Sequence, residues 1–227
     1  MNIIGIEKSS FIDYPNHICT VFFTGGCNFR CPYCHNSPLV HNIGERIEVE
    51  DAIDFLKKRK RFVEAVCISG GEPTLQRDLY DFIYRIKKEG LLVKLDTNGT
   101  NPILLRKLIE DQLLDYVAMD IKAPLNQYEM VTQVNVNIHD IQESVHILLE
   151  NKVDYEFRTT LCKELLTVED IQSIAEKITG CRTYALQNFR DGATVLGGQH
   201  RLTPYSSEEL KEMEKSLSSI LGNIIVR

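Results

Sequence analysis

Short runs rich in β-branched and aromatic residues alternate with longer stretches whose apolar positions recur every three or four residues, from one end of the chain to the other. Alternation of this kind predicts consecutive β-α units around a parallel sheet. The candidate strands are residues 18–24, 65–69, 93–97, 116–121, 155–160 and 183–189. Between them, one helical face is marked in turn by Val49, Ile53 and Leu56; by Leu79, Ile83 and Ile86; by Leu104, Leu108 and Ile109; by Ile141, Val145 and Leu148; and by Ile171, Ile174 and Ile178. A last helix is expected from Ser206, where Glu209 completes a capping box, and continues through Leu210, Met213 and Leu217.

A closed eight-unit barrel needs about 250 residues, whereas six units of roughly 30 residues fit the 227 present, with a short N-terminal lead. The expected fold class is therefore α/β: a partial (βα)6 TIM-like barrel, a parallel sheet with outer helices. No low-complexity linker or internal repeat divides the chain, so residues 1–227 are expected to form one domain. The basic run from Lys57 to Arg61 is read as a solvated helix C-terminus that complements the helix dipole.

With 43% hydrophobic and 26% charged residues, the composition is that of a globular protein with a substantial core. A formal charge of −6 argues against a general nucleic-acid binder, because phosphate binding depends on clustered Lys and Arg. The N-terminus lacks the basic start and small-residue cleavage site of a signal peptide. Nothing approaches the roughly 20 apolar residues of a membrane span, so a cytoplasmic location with no membrane partner is expected.

Seven cysteines in a chain of this kind do not look like a secreted disulfide framework. Cys19, Cys67, Cys162 and Cys181 lie in apolar surroundings and are read as buried, inert thiols. Cys27, Cys31 and Cys34 crowd into Cys27-Asn-Phe-Arg-Cys31-Pro-Tyr-Cys34. Three thiolates on a short loop can bind different irons of one cubane cluster and leave one metal open. Structural zinc is the alternative, and it requires His35 or a distant residue to close the tetrahedron.

Other unusual residues fall at the C-terminal ends of the candidate strands, where barrel active sites gather. Gly70-Gly-Glu-Pro73 follows the second strand, Asp96-Thr-Asn-Gly99 closes the third and Asp120-Ile-Lys122 closes the fourth. Arg158 and Gln187 lie within the fifth and sixth. Gly70 and Gly71 carry no side chains, so a ligand can approach closely, and Glu72 offers a carboxylate to an ammonium. Asp96 and Asp120 would repel one another unless a cation or basic group such as Lys122 intervened. Arg158 offers a planar fork to a carboxylate, with a structural salt bridge as its alternative.

The C-x3-C-x2-C loop, with Tyr33 before the last cysteine, resembles the signature of the radical S-adenosylmethionine superfamily. This resemblance implies a [4Fe-4S] cluster on Cys27, Cys31 and Cys34. Its fourth iron is chelated by the methionyl amine and carboxylate of S-adenosylmethionine, and reductive cleavage yields a 5′-deoxyadenosyl radical. It also implies that Gly70, Gly71 and Glu72 receive the methionyl amine, that Arg158 receives the carboxylate, and that Tyr33, Asn98 and Gln187 border the cofactor. Asp96 and Asp120 would help to hold a monovalent cation, with Lys122 nearby.

Within that superfamily Ser9-Ser-Phe-Ile-Asp13-Tyr14-Pro15, Cys34-His35-Asn36 and Asp120-Ile-Lys122-Ala-Pro124 resemble anaerobic ribonucleoside-triphosphate reductase activating proteins. The likeness runs from Gly5 through the sixth candidate strand and loosens after Pro124. Asn16 stands where Gly is usual, and Asn tolerates the same left-handed turn. Because no cysteine occurs between His35 and Val66, one cluster is expected. The resemblance implies removal of a glycine Cα hydrogen from a partner reductase, with a flavodoxin- or ferredoxin-type electron donor. A deazapurine synthase-like enzyme acting on a small molecule, an activase of another glycyl-radical enzyme, and a zinc or electron-transfer protein are the alternatives.

Overall fold

The computed structural model covers residues 1–227. Eight strands form one sheet in the order of the chain: β1 (Ile3–Ser10), β2 (Cys19–Thr24), β3 (Ala65–Gly70), β4 (Leu92–Thr97), β5 (Tyr116–Asp120), β6 (Asp154–Leu161), β7 (Tyr184–Asn188) and β8 (Ile224–Val226). Strands β2 to β8 are parallel, and β1 runs antiparallel to β2. No pairing joins β1 to β8, so the sheet stays open on one side. The helices are α1 (Ser37–Val40), α2 (Val49–Arg59), α3 (Leu79–Lys88), α4 (Pro102–Glu110), α5 (Tyr128–Thr132), α6 (Ile138–Leu149), α7 (Val168–Lys177) and α8 (Ser207–Leu217).

All six expected strands are present, and each connects to the next through at least one helix. The two strands that the pattern did not reveal flank them. Ile3 is fully buried in β1, but Gly5 and the exposed Glu7 and Lys8 interrupt any alternation. The N-terminal lead is thus a strand held by β2, whose edge it covers. Strand β8 has only three residues and forms where the chain returns from α8 to pair with β7.

The period of two decides which side chains enter the barrel. Phe22, Ile68, Leu95, Val117, Phe157 and Leu186 point outward into the main core under the helices. Cys19, Val21, Ala65 and Cys67 point inward, where Tyr14 plugs the bottom. Burial pushes the thiols of Cys19 and Cys181 up to about 11 and that of Cys162 up to about 12, as expected of inert core cysteines.

Local signals act as expected. Ser206 and Glu209 form the reciprocal capping box of α8. Lys57, Lys58 and Arg59 occupy the last turn of α2. Asn16 adopts φ +64° in the turn before β2. No helix is long and apolar enough to cross a membrane.

Candidate active site

A cavity of about 250 Å³ opens at the C-terminal ends of β2 to β7. Its wall contains every residue singled out for the site: Cys27, Cys31, Tyr33 and Cys34; Gly70, Gly71 and Glu72; Asp96 and Asn98; Asp120 and Lys122; and Arg158 with Gln187. Six strand ends, spread over about two thirds of the chain, thus converge on one space.

The cysteine loop leaves β2 through Gly25 and Gly26, the latter at φ +90°. It is pinned by backbone bonds from outside its own sequence. Arg30 N–H donates to the Thr132 carbonyl at the end of α5 (2.8 Å), Gly197 N–H to Pro32 (2.8 Å) and Leu196 N–H to Cys34 (2.8 Å). The Arg30 guanidinium bridges the carbonyls of Cys27 (2.6 Å) and Phe29 (2.7 Å). Neither brace was visible in the sequence, because residues 189–204 carry no periodic pattern that marks them as the support of a loop more than 150 positions earlier.

All three thiols are free. Burial raises Cys31 and pushes Cys27 up to about 11, so a nearby positive charge is required to hold them as thiolates. Phe29 N–H points at Cys27 Sγ (3.4 Å), a bond of the kind that tunes cluster sulfurs. No three His, Cys, Asp or Glu side chains converge to hold a single ion. His35, which zinc would have recruited, turns its Nε2 to the Arg190 carbonyl instead. Thiols spread around a space suit a cubane, where each takes a different iron, better than a tetrahedral ion. The Tyr33 hydroxyl is buried among these groups without a hydrogen-bond partner. The residues present fit an iron-sulfur cluster.

Gly70 and Gly71 line the cavity, and neighbouring segments of the chain require glycine there as well. Gly70 has φ +117°, and a Cβ there would meet Thr24 N at 2.4 Å; a Cβ on Gly71 would lie 2.0 Å from the Gly26 carbonyl oxygen. The close approach is made by the chain leading to Cys27. Gly71 N–H donates to Thr24 O and Glu72 N–H to Gly26 O, both at 2.9 Å. Strand end β3 and the cysteine loop are therefore locked backbone to backbone.

Glu72 is buried and accepts four hydrogen bonds: from Thr74 N–H (3.0 Å), Thr74 Oγ1 (2.6 Å), Thr97 Oγ1 (2.9 Å) and Asn98 N–H (2.6 Å). It forms no ion pair, and burial pushes its carboxyl up against those donors. Three of the four bonds fall on Oε1, which leaves Oε2 with acceptor capacity for an ammonium. Asn98 extends the clamp, since its Nδ2 donates to Asn28 Oδ1 in the cysteine loop (2.8 Å).

Between Asp96 and Asp120 stands the Arg158 guanidinium. Its Nε donates to Asp120 (2.7 Å) and its Nη1 reaches Asp96 (3.3 Å). Lys122 binds the other oxygen of Asp120 (3.0 Å), and Lys94 binds Asp96 (2.5 Å). Burial alone would raise both aspartates. Arg158 with Lys94 outweighs it at Asp96, and Arg158 with Lys122 holds Asp120 well below the usual carboxylate range. A basic group thus intervenes, as like-charge repulsion requires, but it is chiefly Arg158. The place expected for a monovalent cation is bordered by three cationic side chains. Arg158 keeps Nη2 clear of these pairs. Gln187 lines the cavity with its amide unpartnered by protein.

Lys94 went unnoticed in the sequence, although its signal was there: it lies two residues before Asp96 on one strand and shares its face. Ser69, whose Oγ donates to Asp96 (2.9 Å), and Thr160 on the cavity wall follow from the same rule.

The family model described as Radical SAM superfamily matches residues 21–178. A protein of Methanocaldococcus jannaschii named as a candidate glycyl-radical enzyme activating enzyme is 36% identical over 233 residues, covering 99% of this chain and 95% of the relative. The pyruvate formate-lyase-activating enzyme of Listeria monocytogenes is 30% identical over 196 residues, covering 74% of this chain and 77% of that one. Among solved structures, Streptococcus suis SuiB bound to S-adenosylmethionine superposes with a TM-score of 0.67 at 13% identity. That match covers 88% of this chain but about half (48%) of SuiB, and it speaks for the fold alone.

Proposed function

Because this chain belongs to the radical S-adenosylmethionine superfamily and, within it, to the glycyl-radical enzyme activating enzymes, we propose that it installs the glycyl radical of an anaerobic ribonucleoside-triphosphate reductase. Its cofactors are a [4Fe-4S] cluster and S-adenosylmethionine. Together they supply one-electron chemistry that removes a hydrogen atom from a glycine Cα, with methionine and 5′-deoxyadenosine as the other products.

One observation carries the assignment of roles: the cavity that holds three free thiols also holds a buried carboxylate without a cation and a guanidinium with a free edge. Cys27, Cys31 and Cys34 hold the cluster. Glu72, desolvated and unpaired, receives the methionyl ammonium through Oε2, and Arg158 receives the carboxylate through Nη2. A zwitterion laid between them satisfies both, since a buried charge is stable only when paired. Gln187 offers its amide to the adenosyl group. Asn98 keeps the cysteine loop in register with β4 through Asn28, Tyr33 borders the cofactor beside Lys122, and the cavity wall excludes bulk water from the reacting atoms.

The open side between β1 and β8 supports a macromolecular substrate, because a glycine on a partner's loop must reach the cavity. The N-terminal Ser9 to Pro15 segment and Cys34-His35-Asn36 support the reductase as partner, with a flavodoxin- or ferredoxin-type donor. The Listeria relative favours a second reading, a partner of the pyruvate formate-lyase type.

Anaerobic reconstitution followed by dithionite reduction tests the first step, read as 5′-deoxyadenosine formed. Mixing with each class of glycyl-radical enzyme tests the second, read by electron paramagnetic resonance. A glycyl signal with the reductase alone is expected. A signal only with the formate-lyase selects the second reading, and cofactor cleavage with no signal from either overturns the proposal.

A further inference from the structure

Five charged side chains alternate in sign through the interior of β4 and β6 and the end of β5 with the turn beyond it: Lys94, Asp96, Arg158, Asp120 and Lys122. Asp96 is the hinge of this chain. Its Oδ1 takes the Lys94 ammonium (2.5 Å), and its Oδ2 takes the Ser69 hydroxyl (2.9 Å) and Arg158 Nη1 (3.3 Å). Lys94 and Ser69 hold Asp96 at short range, while Arg158 bears on it from farther off. Lys94 is nearly sealed, with 3% of its side chain exposed, and it does not reach the cavity wall. It stands behind Asp96, away from any ligand. A buried lysine is costly unless a carboxylate compensates it, and here the compensation is mutual.

The charges also sum in a useful way. Three cations against two anions leave one positive charge on the network, beside the cavity, where a ligand carboxylate would neutralise it. Without Lys94 the network would be neutral, and Asp96 would have only Arg158 as a cationic partner. The guanidinium, which borders the cavity, would then be drawn toward Asp96.

We propose that Lys94 is a positioning residue for the cofactor carboxylate: acting through Asp96, it holds the Arg158 guanidinium in place between the facing Asp96 and Asp120 carboxylates. This rests on the reading that Arg158 receives the carboxylate of S-adenosylmethionine.

The test uses reconstituted protein and calorimetric titration with S-adenosylmethionine. Lys94→Met is expected to weaken binding roughly tenfold, within the range of couplings measured between networked residues, with cluster iron unchanged. Ammonium or potassium at constant ionic strength should restore most of that loss by filling the vacated space, whereas tetramethylammonium, too large to enter, should not. Wild-type affinity should be the same in all three salts. Because an orphaned Asp96 can compromise folding, Lys94→Met with Asp96→Asn removes both charges together; it should bind weakly and show no rescue by any salt. In a double-mutant cycle, Lys94→Met and Arg158→Lys should be strongly non-additive. Wild-type affinity in Lys94→Met, additive losses, or a loss that no cation relieves overturns the proposal. A wild-type protein that fails to bind S-adenosylmethionine overturns instead the reading on which it rests.

Discussion

Replacing Gly71 with alanine separates the steric role of this glycine from any role in ligand binding. Gly71 has an ordinary backbone conformation, so the whole effect comes from contact. The added Cβ would lie 2.0 Å from the Gly26 oxygen and 2.6 Å from its carbonyl carbon, and no rotamer change relieves a clash between two backbones. Overpacking of this kind costs about 1–3 kcal/mol. The bonds from Gly71 N–H to Thr24 O and from Glu72 N–H to Gly26 O are strained as the loops part, at about 1 kcal/mol each. A total of about 3–5 kcal/mol corresponds to a fall in melting temperature of roughly 9–15 °C for a chain of this size. Gly90 is the control, with φ +81° and nothing within 4 Å of its Cβ. Gly90→Ala meets only the left-handed backbone penalty of about 1 kcal/mol, hence a shift of about 3 °C. Differential scanning calorimetry reads the first effect, and iron bound after anaerobic reconstitution reads the second, because the displaced strand leads directly into Cys27. If Gly71→Ala melts no lower than Gly90→Ala and binds full iron, the two loops are not locked as described.

Further expectations concern the cavity and the last helix. Each of Cys27→Ala, Cys31→Ala and Cys34→Ala should abolish the visible absorption of the reconstituted cluster, and a variant that still cleaves the cofactor on reduction would contradict the ligand assignment. Glu72→Gln keeps the shape but loses the charge, and is expected to weaken S-adenosylmethionine binding by roughly tenfold, the scale of one charge-assisted hydrogen bond; unchanged affinity in calorimetry would remove Glu72 from the amine site. Hydrogen bonds from Lys163 and from Ser206 lower the Glu209 carboxyl from its ordinary 4.5 to about 2. A depressed acid stabilises the folded state above its unfolded value and loses that contribution as pH falls through the folded one, so α8 should fray between about pH 4.5 and 2. Hydrogen exchange at the α8 amides should report this, and protection that is flat across the window would refute the cap's ionic character.

Where a feature was legible in the sequence, it depended on neighbours along the chain. Phe22 and Val21 read as a strand because adjacent side chains take opposite faces, and Leu79, Ile83 and Ile86 read as a helix because they share one. Ser206 and Glu209 announced a cap that is satisfied within four residues. The thiols of Cys27, Cys31 and Cys34 share one loop, and Gly70 to Pro73 form one turn, so their chemistry was visible before any contact was known. The β-α order then placed every candidate on one rim, since parallel strands with helical returns must align their C-terminal ends.

Contacts between distant segments decided the rest. Strand β1 exists because β2 holds an otherwise unpromising run, and β8 because α8 returns three residues to β7. Glu72 is anchored by Thr97 and Asn98, one strand away, which turns an isolated acid into a clamp with one oxygen to spare. Lys94 would pass for a surface residue on composition alone; only the pairing of β4 with β3 and β5, which closes the barrel interior over it, makes it the buried partner of Asp96 and, through Asp96, of Arg158 on β6. Propensity, period and capping are local, so which elements form and which chemistry is at hand could be read along the chain. The tertiary structure alone decided how the charges pair and what each glycine is for, because burial and Coulomb energies depend on distances that exist only once the strands have met.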